Sequence, residues 1–326
     1  MSRQRRLGLA LGGGGARGLA HVGFLQVLSQ AGIEVAAVSG TSIGAIVGAG
    51  YALYRDSRIL QEVFEKFLKS DLFKEARFDF LTEIEAKQTD EAGLAVWLGG
   101  RMKRIIFQGM MLRRSGLLSD ESYKRIINFF IPEVSFGQTK IPFACAALNL
   151  VDGRTRIFRQ GSLPLAVQAS AALPGLTEPV GCEGALYSDG GGVMVMPVEP
   201  LLEMGAEVVV AVDVDRPLEI KESYGNVVEV LIRWAEAAST RLKEKDLALT
   251  DLLVHPRVDD YRWADFNQGL EIIELGRRAA RERLEEIKSL VRPRWWRLGR
   301  SGAFNGEKVK KTAPSPLEAG GTQGRP

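Results

Sequence analysis

The sequence predicts an α/β fold around a mainly parallel sheet, and three observations predict it. Short apolar runs alternate with helical patterns from the first residues onward. The same order resumes after residue 140. The opening run passes through a glycine loop straight into a helix, as strands do in α/β folds.

In chain order, "LGLAL" at 7–11 is the first strand, followed after "GGGGARG" by a helix over about 17–30. A second strand at 35–39 leads through "GTSIG" to a helix at about 43–55. Between 56 and 139 the alternation lapses into helical segments rich in Phe, Met and Arg, which reads as an insertion or cap over the sheet. Strands resume with "IPFACAALNL" at 141–150, then "TRIFR" at 155–159 after the Asp152-Gly153 turn, and "AEVVVAVDV" at 206–214. Two late helices are expected at about 225–245 and 267–290, the last with Leu270, Ile273, Leu284 and Ile287 on a charged background. Beyond Arg292 the composition turns to Gly, Pro, Lys and Arg. One domain is therefore expected over 1–291, followed by a basic tail without ordered structure over 292–326.

With 326 residues, 45% of them hydrophobic, the chain can bury a sizeable core. A net charge of +3 gives no reason to expect a nucleic-acid partner. Cys145 and Cys182 are too few for a disulfide framework and lack metal-ligand spacing, so a reducing cytoplasm is the expected compartment. Arg3, Arg5 and Arg6 before "LGLAL" resemble the start of a secretory signal, but four glycines interrupt the apolar run. The longest apolar stretch, "IGAIVGAGYALY" at 43–54, falls short of the roughly 20 residues that span a bilayer.

The glycine loop admits two readings. Gly13, Gly15 and Gly18 fit G-x-G-x-x-G, which holds a dinucleotide pyrophosphate. The same backbone N–H groups at a helix start also suit the oxyanion of an acyl-transfer intermediate. The second strand argues for the latter. A dinucleotide fold expects an acidic ribose ligand at its end; here it ends in Gly40-Thr41-Ser42, and Glu34 precedes the strand.

"GTSIG" at 40–44 is a G-x-S-x-G pattern between an apolar strand and a helix, the setting of a nucleophile elbow. Gly40 and Gly44 leave room for the tight turn, and Ser42 would stand at the positive end of the following helix. A serine nucleophile needs a base. His21 reads as a packed helix residue; His255, inside an apolar run and directly before Pro256, is a poor triad member. Asp189 in "YSDGGG" is the better candidate, because Gly190, Gly191 and the glycine after them leave its turn open to a second loop.

"GGGGARG", "GTSIG" and "SDGGG", in that order over about residues 7–215, resemble the patatin-like phospholipases, most nearly the small bacterial branch of that family. The resemblance implies a three-layer α/β/α hydrolase; no metal-ligand cluster is visible in the sequence, so neither metal nor cofactor is expected in the chemistry. The resemblance makes Ser42 the nucleophile and Asp189 its partner in a Ser-Asp dyad, with Gly13, Gly14 and Gly15 as the oxyanion hole and Arg17 supporting that loop. Ala169, Ser170 and Pro174 match a further family block, read as packing beside the site. The implied activity is hydrolysis of carboxylic esters of lipids. The alternative is a regulatory or adaptor protein that keeps the fold without catalysis.

Two basic, apolar stretches suit contact with an anionic membrane surface: "WLGGRMKRIIFQGMMLRRSGLL" at 97–118 and "RPRWWRLGR" at 292–300, with Trp295 and Trp296. Either can equally be a solvated surface over the core. No protein partner is indicated.

Overall fold

The computed structural model describes residues 4–76, 116–225 and 227–293. The 77–115 part of the expected cap, with most of the first basic stretch, lies outside them, as does nearly all of the tail. The first half of the chain supplies β1 (Leu7–Leu11), α1 (Ala20–Gln30), β2 (Val35–Gly40), α2 (Ile43–Tyr54), α3 (Ser57–Leu68) and α4 (Asp71–Glu75). Then come β3 (Gly116–Leu118), α5 (Asp120–Phe130), β4 (Phe143–Asn149), β5 (Thr155–Phe158), α6 (Leu163–Ser170), β6 (Gly175–Thr177), β7 (Val180–Cys182) and β8 (Ala185–Asp189). The chain continues with α7 (Glu199–Glu203), β9 (Val208–Val212), α8 (Val227–Leu247), β10 (Leu252–Val254), α9 (Gly269–Glu282) and α10 (Leu284–Val291).

Five strands run parallel in the order β10, β9, β1, β2, β4, which is the mainly parallel sheet the alternation predicts. All five residues of β1 and of β9 are buried, because both strands are covered on both faces. The pleat sends alternate side chains to opposite sides. Leu7, Leu9 and Leu11 join Phe24 and Leu28 of α1, Val47 of α2 and Ile273 of α9. Ala10, Ala37, Val209 and Ala211 face Met196, Val198 and Leu201 on the other side. Small residues meet the second layer and large ones the first, giving the three-layer arrangement.

The antiparallel strands lie around β4. Cys145 pairs with Gly40 of β2 and with Phe158 of β5, while Ala147 pairs with Asp189 of β8 and with Arg156 of β5. A strand has two edges, so β5 occupies one and β2 and β8 share the other. They run toward each other and meet end to end. Gly40, the last residue of β2, and Asp189, the last of β8, sit two residues apart along β4.

Two expectations need adjusting. The last helix is two, α9 and α10, broken at Arg283; the break lets α9 bury Ile273 and Ala280 while α10 redirects Ile287 and Val291 inward. The first helix begins with a short 3-10 turn, Gly15–Leu19, before α1 proper.

The join between β2 and α2 is tight. A Cβ on Gly44 would lie 2.1 Å from the Leu11 carbonyl oxygen, and one on Gly40 would lie 2.2 Å from that of Gly44. Both obstacles are backbone and cannot swing away. Gly44→Ala is expected to cost about 3 kcal/mol by forcing β1 and α2 apart, read as a lower melting temperature. An unchanged melting temperature would show that the join has room for a methyl group.

Candidate active site

Ser42 has φ 57 and ψ −125, a left-handed backbone for a residue that is not glycine. Such strain is held in place only where the surroundings fix it. Here they do: Thr41 N–H donates to the Leu11 carbonyl at 3.2 Å, Ser42 N–H to Ser170 Oγ at 3.2 Å, and Thr41 Oγ1 to the Met194 carbonyl at 2.7 Å. The turn sets the Ser42 hydroxyl at the start of α2, whose twelve residues begin at Ile43.

Asp189 arrives from the opposite direction along β4. Its backbone N–H donates to the Ala172 carbonyl at 2.9 Å, and its Oδ1 accepts from Gly191 N–H at 2.7 Å. Oδ2 is buried and has no partner at full hydrogen-bonding geometry. Burial pushes the carboxyl up to about 6, while the Ser42 hydroxyl and the Gly191 N–H pull it down. The Ser42 hydroxyl is therefore close enough to be felt by the carboxyl, although no hydrogen bond between the two reaches full geometry. A Cβ on Gly190 would sit 2.2 Å from the Ala146 carbonyl oxygen and 3.0 Å from Thr41 Cγ2, so only a glycine lets the two loops approach.

The glycine loop passes beside the elbow. A Cβ on Gly13 would come within 3.4 Å of Ser42 Cβ, and one on Gly18 within 2.2 Å of Ile43 Cγ2. Gly13 N–H points to the Val195 carbonyl at 3.4 Å, and Ala16 N–H donates to the Trp263 carbonyl at 2.7 Å. Among the described residues no backbone carbonyl accepts from Gly14 or Gly15. His21 is fully buried and donates Nε2–H to the Gly12 carbonyl at 2.9 Å. Since a carbonyl can only accept, that bond fixes the proton on Nε2. Burial pushes the imidazole down to about 4, so the ring is neutral.

Ser42, Asp189, His21 and the glycine loop all lie in one stretch of chain. A family model for patatin-like phospholipases matches residues 9–202, more than half of the chain. The chain belongs to the patatin-like phospholipase family. An uncharacterised NTE family protein of Mycobacterium tuberculosis is 28% identical over 216 residues, 66% of this chain and 50% of that protein. A Neurospora crassa protein named lysophospholipase is 28% identical over 315 residues, 87% of this chain and 18% of its own length. Patatin-like phospholipase domain-containing protein 7 of Mus musculus is 29% identical over 299 residues, 83% of this chain and 20% of that protein. The chain thus spans about half the length of the first relative and a fifth of the other two. Among solved structures, VipD from Legionella pneumophila aligns with TM-score 0.46 and 16% identity over 87% of this chain and 67% of that chain.

Behind the patatin-like glycine loop stands a charge network that the sequence reading did not find. Arg17 Nε donates to the Gly14 carbonyl at 3.1 Å, and its terminal nitrogen lies 3.5 Å from Asp215 Oδ1. Asp215 is in turn 3.3 Å from Lys243 Nζ, which also lies 3.0 Å from Asp213. Burial works against the Lys243 charge, but the two aspartates outweigh it and raise its pKa. "DVD" at the end of the apolar strand was a visible signal for half of this network; Lys243, one lysine among many on a helix, was not.

An apolar cavity opens at Ser42, lined by Leu19, Ile46, Phe64, Tyr123, Leu173 and Trp263 among others. The described part of the helical insertion forms its far wall: Phe67 of α3 contacts Phe73 and Phe130 at ring-centroid distances of 5.5 and 4.9 Å. Among the described residues no three His, Cys, Asp or Glu side chains gather as a metal site.

His255 follows β10 at the edge of the sheet and bonds Asp259 at 3.1 Å. Three strand spacings separate β10 from β2, about 14 Å. His255→Ala should leave ester turnover unchanged; a large loss would restore a histidine to the chemistry.

Proposed function

We propose that this chain is a serine acyl hydrolase that cleaves carboxylic esters of phospholipids or lysophospholipids, using Ser42 and Asp189 as a dyad. The observation that carries the reading is a strained Ser42 lining an apolar cavity, its hydroxyl felt by the buried Asp189 carboxyl, whose Oδ2 is unpartnered. The family and the relatives named lysophospholipase support it.

The acyl chain lies in the cavity and brings its ester carbonyl to Ser42 Oγ. Asp189 Oδ2 takes the hydroxyl proton as Oγ attacks, and the carbonyl oxygen becomes an oxyanion. N–H groups of the glycine loop, those of Gly14 and Gly15 having no backbone acceptor among the described residues, stabilise that charge, aided by the positive end of α2. Asp189 returns the proton to the departing alcohol, leaving an acyl ester on Ser42. A water then gives a proton to Asp189 and attacks this ester; the fatty acid leaves and Oγ recovers its proton.

Arg17, tied to Gly14 and neutralised through Asp215, holds the loop in shape without bringing a loose positive charge to the site. Incubation with a panel of phospholipids, lysophospholipids and neutral glycerides, with mass-spectrometric detection of released fatty acid, tests the reading. Labelling of Ser42 by a fluorophosphonate probe is expected alongside. Neither product nor label on the folded protein would leave the adaptor alternative.

A further inference from the structure

Helix α8 is anchored by its polar side. Of its side chains described, Lys243 alone is buried, held by Asp213 and Asp215, and Ser239 Oγ donates to the Gly191 carbonyl at 2.8 Å in the turn after Asp189. At 100° per residue, Val227, Val230, Leu231 and Trp234 form one stripe, roughly 150° round the helix from Ser239 and Lys243. That stripe lies on the side away from the anchors and is 73%, 48%, 58% and 71% exposed in the same order; Ile232, on the anchored side, is 54% exposed as well, so this half of the helix stands clear of the body. Ile220, 96% exposed, and Tyr224 extend it into the preceding loop. Apolar surface of this kind marks an interaction site.

Its position says which. Both anchors lie at the end of the sheet where β1, β2 and β9 finish, since Leu11 pairs with Gly40 and with Val212. After α8 the chain returns to mid-sheet, where Asp251 N–H donates to the Val209 carbonyl at 2.9 Å. The helix therefore descends from beyond the catalytic end, and the twelve residues before Ser239 project about 18 Å past it. The charges around the stripe nearly cancel. Arg216, Lys221 and Arg233 stand against Glu219, Glu222, Glu229 and Glu236 between positions 216 and 236. Several are already paired, Lys221 with Glu229 at 3.1 Å and Arg233 with Glu236 at 3.6 Å.

We infer that the outer half of α8 is a membrane-docking element that seats the active-site end of the molecule on an electrically neutral, phosphatidylcholine-type lipid surface. The inference rests on the lipid-ester reading above. Valine and leucine side chains enter the acyl boundary, while Trp234 and Tyr224 lie at the headgroup level that amphipathic rings favour. Because the attraction is apolar, it needs no anionic lipid and is not screened by salt. This differs from what the basic stretches at 97–118 and 292–300 would give.

The test uses the full chain and the triple variant Val230→Glu, Leu231→Glu, Trp234→Glu, which alters only exposed positions. Three readouts are needed: co-sedimentation with pure phosphatidylcholine vesicles at low and high salt, fatty-acid release from those vesicles, and hydrolysis of the soluble ester p-nitrophenyl butyrate. The native protein is expected to bind at both salt concentrations. The variant should lose vesicle binding and vesicle turnover by at least ~10-fold, with soluble-ester hydrolysis unchanged. Three results would each overturn the inference: undiminished vesicle binding by the variant; native binding only to anionic vesicles at low salt; or a native dimer that the variant dissolves without change in vesicle binding. Binding is read without catalysis, so a native protein that seats on vesicles but hydrolyses neither substrate would sink the hydrolase reading and leave the docking element standing.

Discussion

Ser42→Ala is expected to reduce ester hydrolysis at least about a thousandfold, because the acyl-enzyme cannot form without Oγ. The fold should survive. Ser42 is only half-buried, its hydroxyl is not needed by the backbone bonds that hold the turn, and alanine tolerates φ 57 no better and no worse than serine. A second variant at this position separates chemistry from strain. Ser42→Gly should be equally inactive yet more stable than the native protein by about 1 kcal/mol, since glycine accepts this backbone freely. Stability by chemical denaturation and turnover on a soluble ester check both halves. Residual turnover near the native rate in a folded Ser42→Ala protein would remove Ser42 from the reaction; a less stable Ser42→Gly protein would remove the strain from the elbow.

Asp189→Asn should lower kcat by about 10²–10⁴, the usual worth of a positioned base. The native kcat/KM should rise with pH through about 6 and level off above it, because burial pushes the Asp189 carboxyl to that value and only the ionised form accepts the serine proton. Stability should move the other way. The native-state pKa lies above the ordinary carboxylate value of 3.8, so the folded protein holds an extra proton between about 4 and 6. The stability this contributes is present at low pH and lost as pH rises through 6. An asparagine escapes that loss and keeps an acceptor for Gly191 N–H, so Asp189→Asn should be at least as stable as the native chain above pH 6. Activity independent of pH between 5 and 7, or an asparagine variant that merely unfolds, would contradict the assignment.

Much of the fold was legible because it is written locally. "LGLAL" and the Gly13–Gly15 loop, or Val35–Gly40 and the elbow, lie within a few residues of one another, and runs, glycines and helix periodicity act over that range. The candidate nucleophile and the loop beside it could be placed for the same reason. His21 could be seen to be packed, but not what it packs on; its bond to the Gly12 carbonyl depends on how tightly the loop turns back over α1.

The sequence by itself determined the alternating α/β order, the tight turn at Ser42 and an open glycine turn after Asp189. Only the tertiary structure decided that these two turns face each other: β2 and β8 share one edge of β4 and meet end to end, a long-range pairing that no local pattern specifies. It also decided which way α8 faces. Val227, Val230, Leu231 and Trp234 lie on the side away from its anchors and are exposed. Asp213 and Asp215 at the end of β9 need a cation, Lys243 supplies it from the opposite side of the helix, and burying three charges together costs far less than leaving two of them unpaired.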